Sequence, residues 1–112
     1  MRSGRVRLED IAEAIAGIEQ TIAGLDFNGF GQSWPIQRAV ERGLEIISEA
    51  SRRIPEDQKA GFPDVPWAQI AGIGNILRHE YHRVEPALIW NITQTHLPAL
   101  KRAISTLLSA AA

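Results

Sequence analysis

The sequence contains no cysteine, which excludes a disulfide framework and any metal site built from thiolates. Because cysteine is absent, a reducing cytoplasm is the expected location. The sequence also has no apolar run close to the roughly 18 residues of a membrane helix, so we expect neither a membrane span nor a signal peptide. Charge of one sign is not in excess either: the net charge is −1, so contact with a polyanion would need a local patch of cations. Lysine is scarce, because most of the 12 cations are arginine, the side chain suited to bidentate contact with phosphate or carboxylate.

Apolar residues recur at helical spacing along most of the chain. The first stripe covers residues 8–25, and the second covers 36–54 after the capping residue Ser33. The third lies in 67–84 and the fourth in 86–108, where Pro98 predicts a kink. The expected core positions are Leu8, Ile11, Ile15, Ile18, Ile22, Leu25, Ile36, Val40, Leu44, Ile47, Ile54, Ile70, Ile73, Leu77, Tyr81, Val84, Leu88, Ile89, Ile92, Leu97, Leu100, Ile104, Leu107 and Leu108.

Four helices without any alternating β pattern predict an all-α fold, an antiparallel four-helix bundle, in a single domain over residues 1–112. The glycine-rich run 26–31 is expected to form the first connection. Residues 55–66 form the longest connection, with one helical turn expected over 56–60. Arg52 and Arg53 are expected at the end of the second helix, where cations are favourable.

The third predicted helix carries an unusual polar surface. Asn75, Arg78, His79 and His82 fall within one arc of a helical projection. A solvated helix surface is usually filled with long polar side chains, whereas small residues let a second backbone or a ligand approach closely. We therefore expect this helix to lie at the centre of a dimer interface or of a binding site. The small residues that share the arc are Ala68, Ala71, Gly72 and Gly74.

The same polar residues suit phosphodiester chemistry. An imidazole can accept and return a proton at physiological pH, and an arginine one turn away can hold a phosphate and stabilise charge that develops on it. Asn75 precedes His79 by four residues, so it can orient that imidazole or contact substrate. We expect no metal and no cofactor, because metal-binding histidine spacing and phosphate-binding glycine loops do not occur. From these residues alone, an ordinary solvated surface remains the alternative to a catalytic site. It is the more frequent case for a helix with two histidines on its polar side.

Several short motifs occur in a characteristic order. They are Asp10-Ile, Ala14-Ile, Ala39-Val-x-Arg-x-Leu-Glu-Ile-Ile-Ser-Glu-Ala50, Pro63-x-x-Pro-Trp-x-x-Ile70, Asn75-x-Leu-x-His-x-Tyr81, Trp90 and Leu97-Pro-x-Leu100. In this order they resemble the HepT-like toxins, which belong to the HEPN superfamily of small helical ribonucleases. The resemblance covers nearly the whole chain.

The resemblance implies a HEPN-like helical bundle that pairs as a homodimer, with two sites facing each other across a cleft. It also implies metal-independent cleavage of RNA through an arginine, a polar residue, a histidine four residues further on, and a tyrosine. Asn75, His79 and Tyr81 match three of these positions. The partner implied is an MntA-like minimal nucleotidyltransferase antitoxin that adenylylates the tyrosine, here Tyr81. We assign substrate binding to His82 and Arg83.

The sequence departs from the family pattern at the motif arginine, which is replaced by Gly74. Arg78 follows one helical turn later, and its side chain can fold back into the space that the glycine leaves. We therefore predict catalysis by His79, Arg78 and Asn75. Gly74→Arg is expected to be tolerated or activating because it restores the family pattern, and to leave the fold intact because residue 74 should face solvent. The alternative is a catalytically degenerate dimer that binds nucleotide, RNA or a partner protein.

Overall fold

The computed structural model describes residues 4–79 and 84–110. The regular structure in these ranges is entirely α-helical, which confirms the predicted fold class. The helices are α1 (Gly4–Ile22), α2 (Phe27–Gly31), α3 (Trp34–Ser51), α4 (Glu56–Lys59), α5 (Trp67–His79), α6 (Pro86–Thr95) and α7 (Leu97–Ala110). The first three predicted helices correspond to α1, α3 and α5, and the fourth is divided into α6 and α7.

Neighbouring long helices run in opposite directions. Helix α1 packs against α3 and α7, and α3 packs in turn against α5. Near the end of α1, Glu19 pairs with Lys101 at the start of α7, whereas Arg5 at the start of α1 donates to the Leu108 carbonyl near the end of α7. Because the two contacts join opposite ends of the helices, α1 and α7 are antiparallel. None of the helices in the described ranges has the length and apolar character to cross a membrane.

Among the residues that the structure describes, the predicted core positions are buried or half-buried, with one exception. Leu88 was expected inside but is 42% exposed, because α6 turns the adjacent Ile89 inward. In the third stripe, Ile70 and Ile73 are buried, and Leu77 and Val84 are half-buried. Tyr81, the fifth predicted position of this stripe, lies outside the described residues. The fully buried positions of the bundle include Ile11, Ile15, Val40, Leu44, Ile47, Ile70, Ile89, Leu100 and Ile104.

The connections are more ordered than the sequence indicated. The expected loop at 26–31 contains the short helix α2. Asp26 caps this helix, and its side chain accepts a hydrogen bond from the Gly29 amide at 2.9 Å. Ser33 caps α3 as predicted, accepting from the Ile36 amide at 3.3 Å. The single turn expected near residue 56 is α4.

Pro98 interrupts the last predicted helix. Helix α6 ends at Thr95 and α7 begins at Leu97, so the break precedes the proline by two residues. Proline has no amide hydrogen and its ring clashes with the preceding turn, so it is tolerated only in the first turn of a new helix. The predicted kink is confirmed as a break at His96.

Helices α1 and α3 are in tight contact at Gly43. A Cβ atom at this residue would lie only 2.8 Å from Cγ1 of Ile18. Glycine is therefore required here by packing rather than by backbone conformation. The contact fixes α3, which in turn positions α5.

Candidate active site

Helix α5 presents opposite surfaces to the core and to solvent. Ile70 and Ile73 are buried on the side that packs against α3. Asn75, Arg78 and His79 are exposed, and Asn75 precedes His79 by one helical turn. The last two turns of α5 therefore expose an amide, a guanidinium and an imidazole to solvent.

A buried serine joins α3 to α5 directly beneath this surface. Ser48 is 1% exposed, and its hydroxyl donates to the Ala71 carbonyl at 2.9 Å while it accepts from the Gly74 amide at 3.0 Å. Ser51 donates in turn to the Ser48 carbonyl at 2.8 Å. Both polar functions of the Ser48 hydroxyl are thus used, and the serine is fixed in place.

The close approach of Ser48 depends on glycine at residue 74. A Cβ atom at Gly74 would lie 3.1 Å from Oγ of Ser48, a contact tighter than side chains normally make. Gly74 is buried, so the prediction that it faces solvent is wrong. The sequence pattern placed it on the polar arc of an isolated helix, but the hydroxyl of Ser48 covers that part of the arc.

Arg78 folds back over the same glycine. Its Nη1 atom lies 3.1 Å from the position that a Cβ of residue 74 would occupy. The side chain of Arg78 thus runs back along α5 by one turn, towards its N-terminus. Its guanidinium lies next to the position where a side chain at residue 74 would begin. This is the arrangement that the spacing of Gly74 and Arg78 suggested.

Sequence reasoning missed Arg52, which also reaches this part of α5. Its Nε and Nη2 atoms both donate to the Ala71 carbonyl, at 3.1 and 2.8 Å. The sequence had predicted for Arg52 only a favourable interaction of its charge with the C-terminal end of α3. The available signal was the spacing to Ser48, because residues four apart on a helix face the same neighbour.

The arginines near this surface differ in how their charge is balanced. Arg53 pairs with Glu49 at 3.3 Å, and Arg38 pairs with Glu41. Within residues 4–79 and 84–110, neither Arg52 nor Arg78 forms an ion pair with a carboxylate. The surface of α5 therefore carries two guanidinium charges that no described acidic side chain neutralises.

Three of the predicted site residues, Tyr81, His82 and Arg83, lie outside the described residues. The same holds for the end of the third predicted helix, because α5 is described only as far as His79. Among the residues that are described, no group of three or more histidine, aspartate or glutamate side chains could hold a metal ion.

Comparison with known proteins gives a consistent result. The family model described as "Ribonuclease HepT-like" matches residues 11–107. A protein of Methanocaldococcus jannaschii named "Putative RNase MJ1380" is 37% identical over 92% of this chain and 94% of its own length. A protein of Thermococcus cleftensis named "Probable ribonuclease HepT" is 41% identical over 89% of this chain and 91% of its own length. No solved structure gave a significant match.

Proposed function

This chain belongs to the family of HepT-like ribonucleases, and we propose that it is a metal-independent endoribonuclease whose active site is the exposed end of α5. The observation that carries the proposal is the position of Arg78. Its guanidinium lies beside Gly74, where the family pattern led us to expect an arginine, and next to the turn that carries Asn75 and His79. An arginine is thus available despite the glycine.

The proposed reaction is attack by a ribose 2′-hydroxyl on its own phosphodiester. His79 takes the proton of the hydroxyl, the bond from O2′ to phosphorus forms, and the bond from phosphorus to O5′ breaks. The departing O5′ takes a proton from the imidazolium or from solvent, so the products are a 2′,3′-cyclic phosphate and a 5′-hydroxyl. The exposed position of His79 leaves its ring accessible to RNA.

Arg78 and Asn75 support this step in different ways. Negative charge builds on the non-bridging oxygens of the pentacoordinate phosphorus, and a guanidinium offers these oxygens two parallel hydrogen bonds. Arg78 is exposed and has no carboxylate partner among the described residues, so these donors are available. Asn75 lies one turn before His79, from where its amide can orient the imidazole or contact a base.

We further propose that the chain is the toxin of a toxin–antitoxin pair that acts in the cytoplasm on cellular RNA. An MntA-like minimal nucleotidyltransferase would silence it by adenylylating Tyr81, two residues after the proposed base. The added phosphate and nucleotide would then compete with RNA for Arg78. His82 and Arg83 would bind substrate, and a homodimer would bring two such sites together.

The second candidate is a catalytically degenerate relative. The observation that favours it is Gly74 itself, because the family pattern has an arginine there. Such a chain would bind RNA, a nucleotide or a partner protein without cleaving. The neighbouring gene discriminates in part, because a minimal nucleotidyltransferase beside it would favour the toxin.

The test is cleavage of a labelled RNA by purified protein in excess EDTA. We expect the unmodified chain to cut RNA, and His79→Ala to lose about a hundredfold or more of that activity. His96→Ala is the matched control, because His96 lies at the junction of α6 and α7 and should leave the rate unchanged. Loss of cleavage on chelation, or equal cleavage by His79→Ala, would refute the proposed mechanism.

A further inference from the structure

We propose that Arg52 is a second phosphate-binding residue of this site, which holds the RNA backbone together with Arg78. The proposal rests on RNA being the substrate. It adds a residue of α3 to a site that was otherwise assigned to α5 alone.

The first argument is the orientation of the Arg52 guanidinium. Two of its five N–H groups, on Nε and Nη2, are used by one acceptor, the Ala71 carbonyl. The edge formed by Nη1 and the second hydrogen of Nη2 has no partner among the described residues, and the side chain is exposed. This end-on edge presents two parallel N–H groups that can donate to two oxygens of a phosphate. The carbonyl therefore holds the side chain in place without neutralising its charge.

The second argument is convergence with Arg78 on one turn of α5. Arg52 donates to the carbonyl of Ala71, and Nη1 of Arg78 lies 3.1 Å from the position that a Cβ at Gly74, three residues later, would occupy. Ser48 is hydrogen-bonded to both Ala71 and Gly74 and so links the two points. Guanidinium groups from two different helices therefore reach the same turn of α5.

The third argument is the missing counter-charge. Arg53, the next residue, has its carboxylate partner in Glu49, but within the described ranges Arg52 and Arg78 have none. Like charges gathered on one surface repel each other unless an anion joins them. A phosphodiester backbone supplies a negative charge at every nucleotide, so it can satisfy both arginines at once.

The test measures RNA binding separately from cleavage. All variants are made in the His79→Ala background, and binding of a fluorescein-labelled single-stranded RNA is followed by anisotropy over a series of salt concentrations. Arg52→Gln keeps an N–H donor for the Ala71 carbonyl but removes the charge and the free edge. Arg53→Gln is the matched control, because Arg53 is adjacent, exposed and already paired with Glu49.

We expect Arg52→Gln to weaken RNA binding by about tenfold and to lower the slope of log K against log salt by about 0.7, the value for one phosphate contact on a single strand. Arg53→Gln should stay within about twofold of the parent. Arg52→Lys, which keeps the charge but not the bidentate edge, should fall between Arg52→Gln and the parent.

A purely structural role for Arg52 predicts a different pattern. Arg52→Gln would then lower the melting temperature and leave RNA binding equal to that of Arg53→Gln, which would overturn the proposal. A parent that binds no RNA would overturn it as well. Cleavage by the unmodified chain reports on the proposed function separately: binding that depends on Arg52 without any cleavage would refute the endoribonuclease and leave the phosphate-binding role standing.

Discussion

At the scale of single residues, Gly74 connects the fold to the candidate chemistry. The hydroxyl of Ser48 and the guanidinium of Arg78 both lie 3.1 Å from the position that a Cβ at this residue would occupy. Ser48 is fixed by two hydrogen bonds and is buried, whereas Arg78 is exposed and can move away. A side chain at residue 74 therefore displaces the exposed Arg78 easily, whereas the buried Ser48 cannot move away and is crowded.

This arrangement predicts that Gly74→Ala lowers the free energy of unfolding by about 1 kcal/mol, because crowding against Ser48 exceeds the gain in helix propensity. Gly72→Ala is the control on the same helix. A Cβ at Gly72 meets nothing within 4 Å, so alanine there should raise stability by up to about 1 kcal/mol.

Urea denaturation of both variants, and of Gly74→Ala in a Ser48→Ala background, measures these effects. The Ser48→Ala background should remove the cost of Gly74→Ala, because the crowding oxygen is gone. Equal stabilisation by alanine at residues 72 and 74 would show that Ser48 does not restrict residue 74. Gly74→Arg should share the cost of Gly74→Ala, which replaces our sequence-based expectation of a tolerated change.

The role of Arg78 gives a separate prediction. Arg78→Ala should reduce RNA cleavage by about a hundred- to a thousandfold, and Arg78→Lys should recover little, because an ammonium cannot make the two-pronged contact with phosphate. Arg102→Ala serves as the control, since Arg102 lies on α7 and faces Asp64 at 4.0 Å. A rate for Arg78→Ala within a few-fold of the parent would mean that Arg78 is only a surface charge.

At the scale of helices, Gly43 forms a tight contact between α1 and α3. Gly43→Ala should cost about 1–3 kcal/mol, because a Cβ there would lie 2.8 and 2.9 Å from two atoms of the buried Ile18. Gly17→Ala on α1 meets nothing within 4 Å and should be neutral or stabilising. Melting temperatures of the two variants check this, and a Gly43→Ala protein as stable as the parent would contradict the packing described for this interface.

The sequence predicts the helices well because the apolar residues that face the core recur at helical spacing. Ile11, Ile15 and Ile18 repeat at spacings of three and four, and burial follows that repeat directly. Caps and breakers are equally local signals, so Ser33 and Pro98 were interpreted correctly. Leu88 was misplaced because α6 carries adjacent apolar residues at 88 and 89, and the pattern alone cannot decide which of them faces the core.

The candidate site is less predictable because it depends on the register between two helices. The contacts of Ser48 with Gly74, and of Arg52 with Ala71, join residues 26 and 19 positions apart in the sequence. A helical projection of α5 alone shows Asn75, Arg78 and His79 on one surface, but it cannot show that α3 covers Gly74 or contributes Arg52. Such facts come from packing and are absent from the periodicity of either helix.

At the scale of the whole molecule, two surfaces among the described residues are candidates for the predicted dimer interface. One is the small-residue side of α5, where Ala68 is exposed. The other is a groove of about 220 Å³ between α1 and α7, with the exposed Ala16 on its wall. We expect the first, because a dimer formed there brings two copies of the candidate site together.

Light scattering at micromolar concentration should therefore give about twice the chain mass of 12.4 kDa. Ala68→Glu should reduce that mass to one chain, because it places an unpaired charge in the interface, whereas Ala16→Glu should leave the dimer intact. If Ala16→Glu disrupts the dimer and Ala68→Glu does not, the interface lies at the α1–α7 groove instead.

The proposed adenylylation of Tyr81 gives a prediction for the proposed toxin–antitoxin pair. Co-expression with a cognate minimal nucleotidyltransferase should add AMP to the peptide that contains Tyr81, and cleavage should fall in proportion to the modified fraction. Mass spectrometry of the digested protein measures the adduct, and Tyr81→Phe is the control that should stay unmodified and active. A peptide without the mass increment, from a protein that the partner nevertheless silences, would require a different mechanism of inhibition.

The central claim, attack by a 2′-hydroxyl without a metal ion, is tested most directly by comparing two substrates of identical sequence in excess EDTA. One is an ordinary RNA oligonucleotide, and the other carries a 2′-O-methyl group at every ribose. We predict that only the first is cut, and that its fragments end in a 2′,3′-cyclic phosphate and a 5′-hydroxyl. Cleavage of the methylated strand, or fragments that end in a 3′-hydroxyl and a 5′-phosphate, would contradict the mechanism.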